Sequence, residues 1–290
     1  MPRTRLDTLL PTQLYISELK HQYWSERLSA NGVDDYEPVP VKRIGNDLFM
    51  TDGHTRAVVL WQLGVREVEA YNDADELDWF AYAEDLKWCR DARVLTVAEL
   101  AERIIPHEDY EVKWRGRCET SLKARRDNPL GGISIQLEFD RSAKTAVARE
   151  VLENLPQWFG IPEAVDEYVT ASEDLPFVRV DLYEKPIGFC AVKVNYHINA
   201  DLYVLGILPE FHGRGIGKLM MSYIVDYCRS RRIPYMTVKT LSERHPDSFY
   251  RRTRRFYISC GFRPFEEFPD LWGETNPCLY MFRAVAAPEG

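Results

Sequence analysis

The chain has 290 residues, of which 45% are hydrophobic, and its formal net charge at pH 7 is −8. This length suits two domains, and the hydrophobic content is sufficient for two buried cores. The acidic balance argues against a nucleic-acid partner, and it favours a small amine or a basic peptide.

The cysteines and the apolar segments exclude further classes of protein. The six cysteines are widely scattered, without a Cys-x-x-Cys pair or paired histidines, so neither a disulfide framework nor a metal site is predicted. No apolar stretch approaches the length that spans a bilayer, and the first residues lack the apolar segment of a signal peptide. We therefore expect a cytoplasmic protein that has no membrane partner.

The first part of the chain shows an alternating α/β pattern. Residues 39–44 and 47–51 predict a hairpin around Gly45-Asn46, and the helix that follows ends at Gly64. The remaining predicted elements are a strand and three acidic helices, at residues 65–71, 75–90, 97–104 and 108–126.

A polar stretch then interrupts the pattern. Residues 127–132 contain a proline and two glycines, which is typical of a linker. We place the domain boundary there, and the predicted domains are residues 1–126 and 127–290.

The segment Asp52-Gly53-His54-Thr55-Arg56 lies between the predicted hairpin and its helix. Gly53 permits close approach of the backbone, the helix start supplies free N–H groups, and His54 and Arg56 are suited to pair with an anion. The segment resembles the Asp-Gly-His-x-Arg turn of ParB/sulfiredoxin-like domains, a superfamily in which this turn binds phosphate groups of nucleotides. The resemblance implies a small N-terminal α/β domain with trailing helices and a nucleotide ligand.

The same residues are also compatible with a structural turn. In that interpretation Asp52 and Thr55 cap the helix, and Gly53 makes the turn. The DNA-binding and nucleotide motifs of partition proteins and the motif cysteine of sulfiredoxins are missing, so neither activity is carried over. Because some members of the superfamily phosphorylate free serine, a small-molecule kinase is a further alternative, with Glu18 as its base.

The second part of the chain contains a strand, a glycine-rich turn and a long amphipathic helix in succession. Residues 203–208 predict a buried strand, and a predicted helix at 215–232 presents its positive dipole end to the turn. Three alternate glycines supply the unusual backbone angles that point successive N–H groups at one spot, namely Gly213, Gly215 and Gly217. An anion such as a phosphate group is the predicted ligand.

This succession resembles the fingerprint of the GNAT superfamily of acyl-CoA-dependent N-acetyltransferases, Gln/Arg-x-x-Gly-x-Gly/Ala after a strand that ends in Val-x-Pro. His212 departs from the usual Gln or Arg. A second match, at residues 255–262, resembles the family's Phe-Tyr-x-x-x-Gly-Phe, and Tyr250 stands where family members often carry asparagine. The resemblance covers roughly residues 130–285 and implies a central mixed sheet with acetyl-CoA as cosubstrate.

The resemblance also implies roles for particular residues. Tyr257 would donate a proton to the leaving thiolate, or alternatively pack beneath the cofactor. A backbone N–H near Ile207 would stabilise the oxyanion, at a splay between two strands where pantetheine pairs like an added strand. The pyrophosphate would lie on the turn, formed by His212, Gly213, Arg214, Gly215, Ile216 and Gly217.

The general base is left open by the sequence. Histone-type members carry an acidic residue eleven positions before the Gln/Arg, which matches Asp201 here, and a turn-forming aspartate is the alternative. Glu138 and Glu184 are further candidates, and many such enzymes use only a water chain. A basic run either contacts the phosphates of CoA or forms a solvated helix face, and it comprises Arg251, Arg252, Arg254 and Arg255.

We therefore predict a two-domain protein of the α/β (α+β) class that acetylates a primary amine, on a small molecule or a peptide, in a ternary complex with acetyl-CoA. One alternative is a regulatory acyl-CoA-binding protein whose N-terminal domain senses a nucleotide or a phosphorylated metabolite. The other is an N-terminal kinase fused to the acetyltransferase. The acceptor and the oligomeric state, including a homodimer, stay open.

Overall fold

The computed structural model describes residues 3–76, 78–273 and 275–285. The chain divides into two compact units, Met1–Ile133 with Leu182–Lys185, and Ser134–Asp181 with Pro186–Gly290. The predicted boundary between residues 126 and 127 lies at the end of a helix, upstream of this division. No helix within the described ranges is long and apolar enough to cross a membrane.

The first unit combines a small sheet with helices. Its elements in chain order are β1 (Arg3–Arg5), β2 (Ile16–Ser17), α1 (Glu18–Asn31), β3 (Val39–Ile44), β4 (Asp47–Met50), α2 (His54–Gln62), β5 (Glu67–Asn72), α3 (Trp79–Asp91), α4 (Val97–Leu100), β6 (Ile104–Ile105), α5 (His107–Tyr110) and α6 (Gly116–Asp127). A π-helical turn, Glu111–Arg115, joins α5 to α6. The four-stranded sheet has the order β1-β5-β3-β4, and β2 pairs with β6 separately.

The predicted hairpin at residues 39–51 is confirmed, because β3 and β4 pair antiparallel around Gly45. Helix α2 supplies much of the core of this unit, since Ala57, Val58 and Leu60 are fully buried. Burial of this apolar face stabilises the helix, which is too short to persist alone.

The helix predicted at residues 97–104 is wrong in its second half. Helix α4 stops at Leu100, because residues 104 and 105 pair with β2 as a parallel strand. The backbone of Ile16 also donates to the carbonyl of Arg103, at 2.9 Å. Pairing with a distant segment thus overrides the local helical pattern.

The second unit is built on a seven-stranded mixed sheet. Its elements are β7 (Ile133–Glu138), α7 (Arg141–Glu153), α8 (Pro162–Ser172), β8 (Phe177–Leu182), β9 (Lys185–Asn195), β10 (Asn199–Ile207), α9 (Ile216–Ser230), β11 (Tyr235–Leu241), α10 (Ser248–Ser259), β12 (Arg263–Phe268) and β13 (Cys278–Ala284). The strand order is β12-β13-β11-β10-β9-β8-β7. β10 and β11 run parallel, whereas β9–β10, β11–β13 and β12–β13 are antiparallel.

Helix α9 is strongly amphipathic and packs its apolar side into this unit. Ile216, Met220, Ile224 and Cys228 recur at helical spacing and are at most 1% exposed. Helix α10 ends at Ser259 with Cys260 as its C-cap, and Gly261 follows in the left-handed conformation with φ 87°. The predicted strand, turn, helix and glycine end signal are thus all present in the structure.

Candidate active site

The strands β10 and β11 separate in the middle of the large sheet. Within the described part of the chain, their register runs from Asn199 opposite Tyr235 to Asp201 opposite Thr237 and stops there. A bulge in β10 follows at once, between Leu202 and Val204. Residues 202–207 of β10 therefore face residues 238–241 of β11 across a gap, which we call the slot. It matches the splay predicted from the sequence.

Backbone groups of β10 point into the slot. Leu208 N–H donates to the carbonyl of Ile187, on the β9 side, at 2.8 Å. Because successive residues of a strand direct their N–H groups to opposite sides, the N–H of Ile207 faces away from β9. The amide of Ile207 is thus directed to the slot.

The glycine-rich turn connects this slot to the start of α9. Gly213 and Gly215 have φ values of 76° and 84°, and a Cβ at either position would meet no atom within 4 Å. These glycines are therefore required by the backbone conformation alone. Gly215 is the N-cap of α9, and no side chain caps this helix start. The first N–H groups of α9 are available to an anion, together with the positive end of its dipole.

Gly217 differs from the other two glycines. It lies in the first turn of α9, and a Cβ there would come within 2.9 Å of the Phe256 ring of α10. The absence of a side chain at Gly217 lets α9 and α10 approach each other. This glycine therefore serves helix packing, a role that the motif alone does not indicate.

His212 fastens the turn to the end of β10. Its Nε2 lies 2.6 Å from the carbonyl oxygen of Ile207, which is the acceptor. Burial lowers the pKa of His212, the Ile207 carbonyl opposes this effect, and Arg252 adds to it. The imidazole is therefore neutral at pH 7 and donates one hydrogen bond to the backbone. Arg214 is exposed and its Nε points to the carbonyl of Glu210 at 3.4 Å.

Tyr257 lies on α10 with its side chain buried, at 5% exposure. Its ring contacts the rings of Phe256 and Phe262. Burial raises the pKa of Tyr257 well above its usual value, and the nearby Cys190 thiol acts in the same direction. The hydroxyl therefore stays protonated at neutral pH, as a proton donor must.

Asp201 is a strand residue and not part of a turn. It lies in β10 at the point where the slot opens, and it is 6% exposed. Thr237 Oγ1 donates to its Oδ1 and Lys239 Nζ to its Oδ2, both at 2.9 Å. Asn199 in turn donates to Thr237 Oγ1 at 2.9 Å. Each of these oxygens has a second lone pair, so Asp201 can accept a proton while both partners stay in place.

The other two base candidates lie elsewhere. Glu138 accepts from Arg179 at 3.2 Å and from the backbone N–H groups of Phe139 and Asp140, so it anchors the start of α7. Glu184 occupies a tight turn with φ 68°, and its side chain is 74% exposed. The structure brings Asp201, and neither glutamate, to the mouth of the slot.

The basic run on α10 is partly structural. Arg254 donates to the carbonyls of Leu241 and Ser242, at 2.9 and 3.0 Å, and so closes the end of β11. Arg252 is exposed and stacks on Phe249 at 4.8 Å. Its effect on His212 places it near the glycine-rich turn, where a cation suits bound phosphate.

The contacts of two side chains of this region were not predicted from the sequence. Trp158, in the loop between α7 and α8, lies against His212 and α10. Lys239 pairs with Asp201 and its Nζ lies 5.1 Å from the centre of the Tyr280 ring. Neither belongs to a motif, and the partners are distant in sequence. An exposed lysine in an otherwise apolar strand was the one local signal for Lys239.

The predicted anion motif of the first unit is folded into its core. His54 is 5% exposed, and its Nε2 accepts from the N–H of Thr12 at 3.0 Å. Burial lowers the pKa of His54 to about 4, so this imidazole carries no charge at pH 7. Asp52 is exposed, whereas Thr55 is buried beside the helix start.

Arg56 is also used within the unit. Its Nη2 donates to the carbonyl of Pro38 at 2.9 Å, and its Nη1 lies 3.9 Å from Glu37. Gly53 has φ 81°, and a Cβ there would come within 2.8 Å of the Arg56 guanidinium. Gly53 is the N-cap of α2 without a side-chain cap, so Asp52 and Thr55 do not cap this helix.

The described ranges contain no group of three or more His, Cys, Asp or Glu side chains that is arranged to hold an ion. All six cysteines are free thiols.

Residues 144–262 match the Acetyltransferase (GNAT) family. This stretch contains the slot, the glycine-rich turn, both flanking helices and Tyr257. The resemblance predicted for the C-terminal half is thereby confirmed over these residues. No curated protein matches the chain. The resemblance of the N-terminal part to ParB/sulfiredoxin-like domains stays a prediction.

Solved structures of acetyltransferases are similar to about half of the chain. An aminoglycoside 6'-N-acetyltransferase in complex with coenzyme A is 17% identical, with a TM-score of 0.44, over 54% of this chain and 99% of that one. The ribosomal-protein-S18-alanine N-acetyltransferase from Escherichia coli is 14% identical, with a TM-score of 0.43, over 55% and 97%. The aminoglycoside 6'-N-acetyltransferase from Enterococcus faecium is 17% identical, with a TM-score of 0.43, over 54% and 99%.

Proposed function

We propose that the GNAT acetyltransferase domain at residues 144–262 transfers the acetyl group of acetyl-CoA directly to a primary amine, on a small molecule or a peptide. The observation that carries this proposal is the slot between β10 and β11, which leads to an uncapped helix start at Gly215. An unpaired strand edge next to an anion site fits a ligand with an amide-containing arm and a pyrophosphate.

The residues of the turn and the slot fit the two halves of CoA. The N–H groups that follow Gly213 and Gly215 would hold the pyrophosphate, with Arg214 and Arg252 as nearby cations. The slot-facing amides of β10 would bind the pantetheine arm, and the N–H of Ile207 or a neighbour would donate to the developing oxyanion. When bound, acetyl-CoA supplies the activated acyl group.

Tyr257 and Asp201 are the proposed proton-handling residues. Tyr257 has a hydroxyl that is protonated at neutral pH, and we assign it as the donor to the leaving sulfur. Asp201 is proposed as a base for the acceptor amine, or as the fixed partner of Lys239 with a water chain as base. The acidic chain favours a cationic acceptor.

Calorimetric titration with acetyl-CoA tests the proposal. Gly215→Glu places a charged side chain in the open space of the turn and should abolish binding. Gly64→Glu is the matched control, because Gly64 has φ 87°, close to the 84° of Gly215, and equally open surroundings. Binding by wild type and the control but not by Gly215→Glu is the expected result. Equal binding by all three variants would place the cofactor elsewhere, and turnover with an amine panel then separates transfer from binding alone.

For the first unit, we propose a ligand-sensing role as a second candidate. It rests on the uncapped start of α2 at Gly53 and on Arg56 Nε, which is buried without a partner among the described residues. Titration with ATP, ADP and inorganic phosphate tests this role, with Arg56→Lys as the variant. Consumption of ATP that depends on Asp52 would instead support the kinase alternative.

A further inference from the structure

Trp158 joins three elements of the candidate active site. Its Nε1–H donates to Thr253 Oγ1 at 3.0 Å, and its carbonyl accepts from the Tyr250 hydroxyl at 3.1 Å. Its ring lies edge-to-face with Phe249 at 5.1 Å and with His212 at 5.6 Å. Thr253, Tyr250 and Phe249 belong to α10, whereas His212 belongs to the glycine-rich turn.

The contact with His212 continues into the slot. His212 donates to the carbonyl of Ile207, the last residue of β10, at 2.6 Å. The next residue after His212 is Gly213, where the turn adopts its left-handed conformation. An unbroken series of contacts therefore runs from α10 through Trp158 and His212 to the inner edge of β10.

We propose that Trp158 is a positioning residue for acetyl-CoA, which holds His212 against Ile207 and thereby fixes the glycine-rich turn relative to α10. This inference rests on the proposed function and deepens it. The distance between the turn and α10 matters because the turn would hold the phosphates while α10 carries Tyr257. A displacement of one against the other would separate the cofactor from its proton donor.

The two departures from the GNAT fingerprint support the same inference. His212 replaces the usual Gln or Arg, and Tyr250 replaces the frequent asparagine, and both contact Trp158. The hydroxyl of Tyr250 is engaged by the loop carbonyl and not left free for a ligand. These contacts pre-form the site, which reduces the ordering required on binding.

The Trp158 ring covers one side of His212, which is otherwise exposed to solvent. Burial is the main reason why the pKa of His212 is lowered, and the charged group that acts on it from α10 is Arg252. Removal of the indole would lessen the burial of the imidazole, so the pKa of His212 should rise toward the ordinary histidine value. A protonated His212 next to Gly213 would attract phosphate, so the variant should acquire a pH dependence that wild type lacks.

The experiment compares acetyl-CoA dissociation constants of Trp158→Ala and wild type at pH 8 and pH 6. At each pH, the dissociation constant of the variant is divided by that of wild type. Titration of the CoA phosphates affects both constants equally and therefore does not change this ratio. We expect a loss of about tenfold at pH 8 and of about threefold at pH 6, because His212 gains charge only in the variant. In a His212→Gln background the ratio should no longer change with pH.

Two further variants separate positioning from stability. Thr253→Val removes the hydrogen bond to Trp158 without opening a cavity, and we expect about threefold weaker binding. Ile233→Ala removes a buried side chain at the far end of α9 and controls for lost stability, with unchanged binding expected. If Trp158→Ala does not fold, Trp158→Phe and Thr253→Val carry the test.

The outcomes are distinguishable from failure of the proposed function. Wild-type binding together with unchanged affinity in the Trp158 and Thr253 variants would overturn the positioning role and leave the acetyltransferase proposal intact. Absence of wild-type binding would overturn both. The pKa of His212, measured by NMR without ligand, should rise in Trp158→Ala. An unchanged pKa would also overturn the proposed effect of Trp158 on His212.

Discussion

Replacement of Gly217 by alanine tests whether this glycine serves helix packing. The added Cβ would lie 2.9 Å from Phe256 Cε2 and 3.1 Å from Cζ, so the ring must move. Carbon atoms prefer separations of about 3.5–4.0 Å, and overpacking of this kind costs about 1–3 kcal/mol. Alanine gains about 1 kcal/mol over glycine inside a helix. We expect a net loss of about 1 kcal/mol in the free energy of unfolding.

A double-mutant cycle with Phe256→Leu isolates the energetic cost of the contact between the new methyl group and the Phe256 ring. A smaller side chain at position 256 leaves room for the new methyl group, so the double variant should recover at least about 1 kcal/mol relative to additivity. Urea unfolding gives the free energies. Hydrogen exchange of peptides from α10 assigns the transition to the second unit, because a chain of two units need not unfold in one step.

Gly213→Ala is the comparison within the same turn. Gly213 has φ 76° and open surroundings, so alanine there costs about 1 kcal/mol of backbone strain and should show no coupling to Phe256. The packing argument is refuted if Gly217→Ala stabilises the protein, as alanine does at an exposed helix position. Additive behaviour with Phe256→Leu would refute it equally.

Three more predictions concern titratable side chains. Asp201→Asn removes the buried partner of Lys239 and should cost about 2 kcal/mol in urea unfolding, and loss of the acidic limb of the pH–rate profile would identify Asp201 as the base. Tyr257→Phe should lower kcat by about a hundredfold while leaving the Kd of acetyl-CoA unchanged, and full turnover would eliminate the acid role. For His54, whose pKa falls from 6.5 to about 4 on folding, the unfolded state binds the extra proton, so stability should decline as pH drops from 6.5 to 4. His54→Gln should flatten that decline in acid unfolding curves, and an unchanged slope would exclude His54 as its source.

Local sequence signals predicted much of the second unit. The strand that ends at Ile207, the glycine-rich turn and α9 all follow from patterns within about 30 residues of one another. Gly261 likewise marked the end of α10. These features depend on backbone conformation and amphipathic spacing, which neighbouring residues determine.

Features that depend on distant partners were not predictable in this way. Asp201 accepts a hydrogen bond from Lys239 on the next strand of the chain, 38 residues away. Trp158 donates one to Thr253, which lies 95 residues further along the chain. The same limitation explains the error at residues 101–104, where Ile104 pairs with Ile16 as a strand residue and not as part of a helix. Gly217 was predicted to help form the anion-binding turn. In the structure, its lack of a side chain instead leaves room for the Phe256 ring.

The slot also determines how the large sheet is held together. β10 and β11 share register from Asn199 to Asp201, whereas β11 and β13 are registered along the whole of β11. The pairing of β10 with β11, in the middle of the sheet, is therefore shorter than that of β9 with β10 and that of β11 with β13. Among the described residues, the sheet thus consists of two halves, β12-β13-β11 and β10-β9-β8-β7, that pair with each other only at one end of β10 and β11. Local opening of the sheet should begin between these halves. A ligand that hydrogen-bonds to both halves across the slot would hold them together. Binding of that ligand should therefore raise the stability of the sheet and make its unfolding more cooperative.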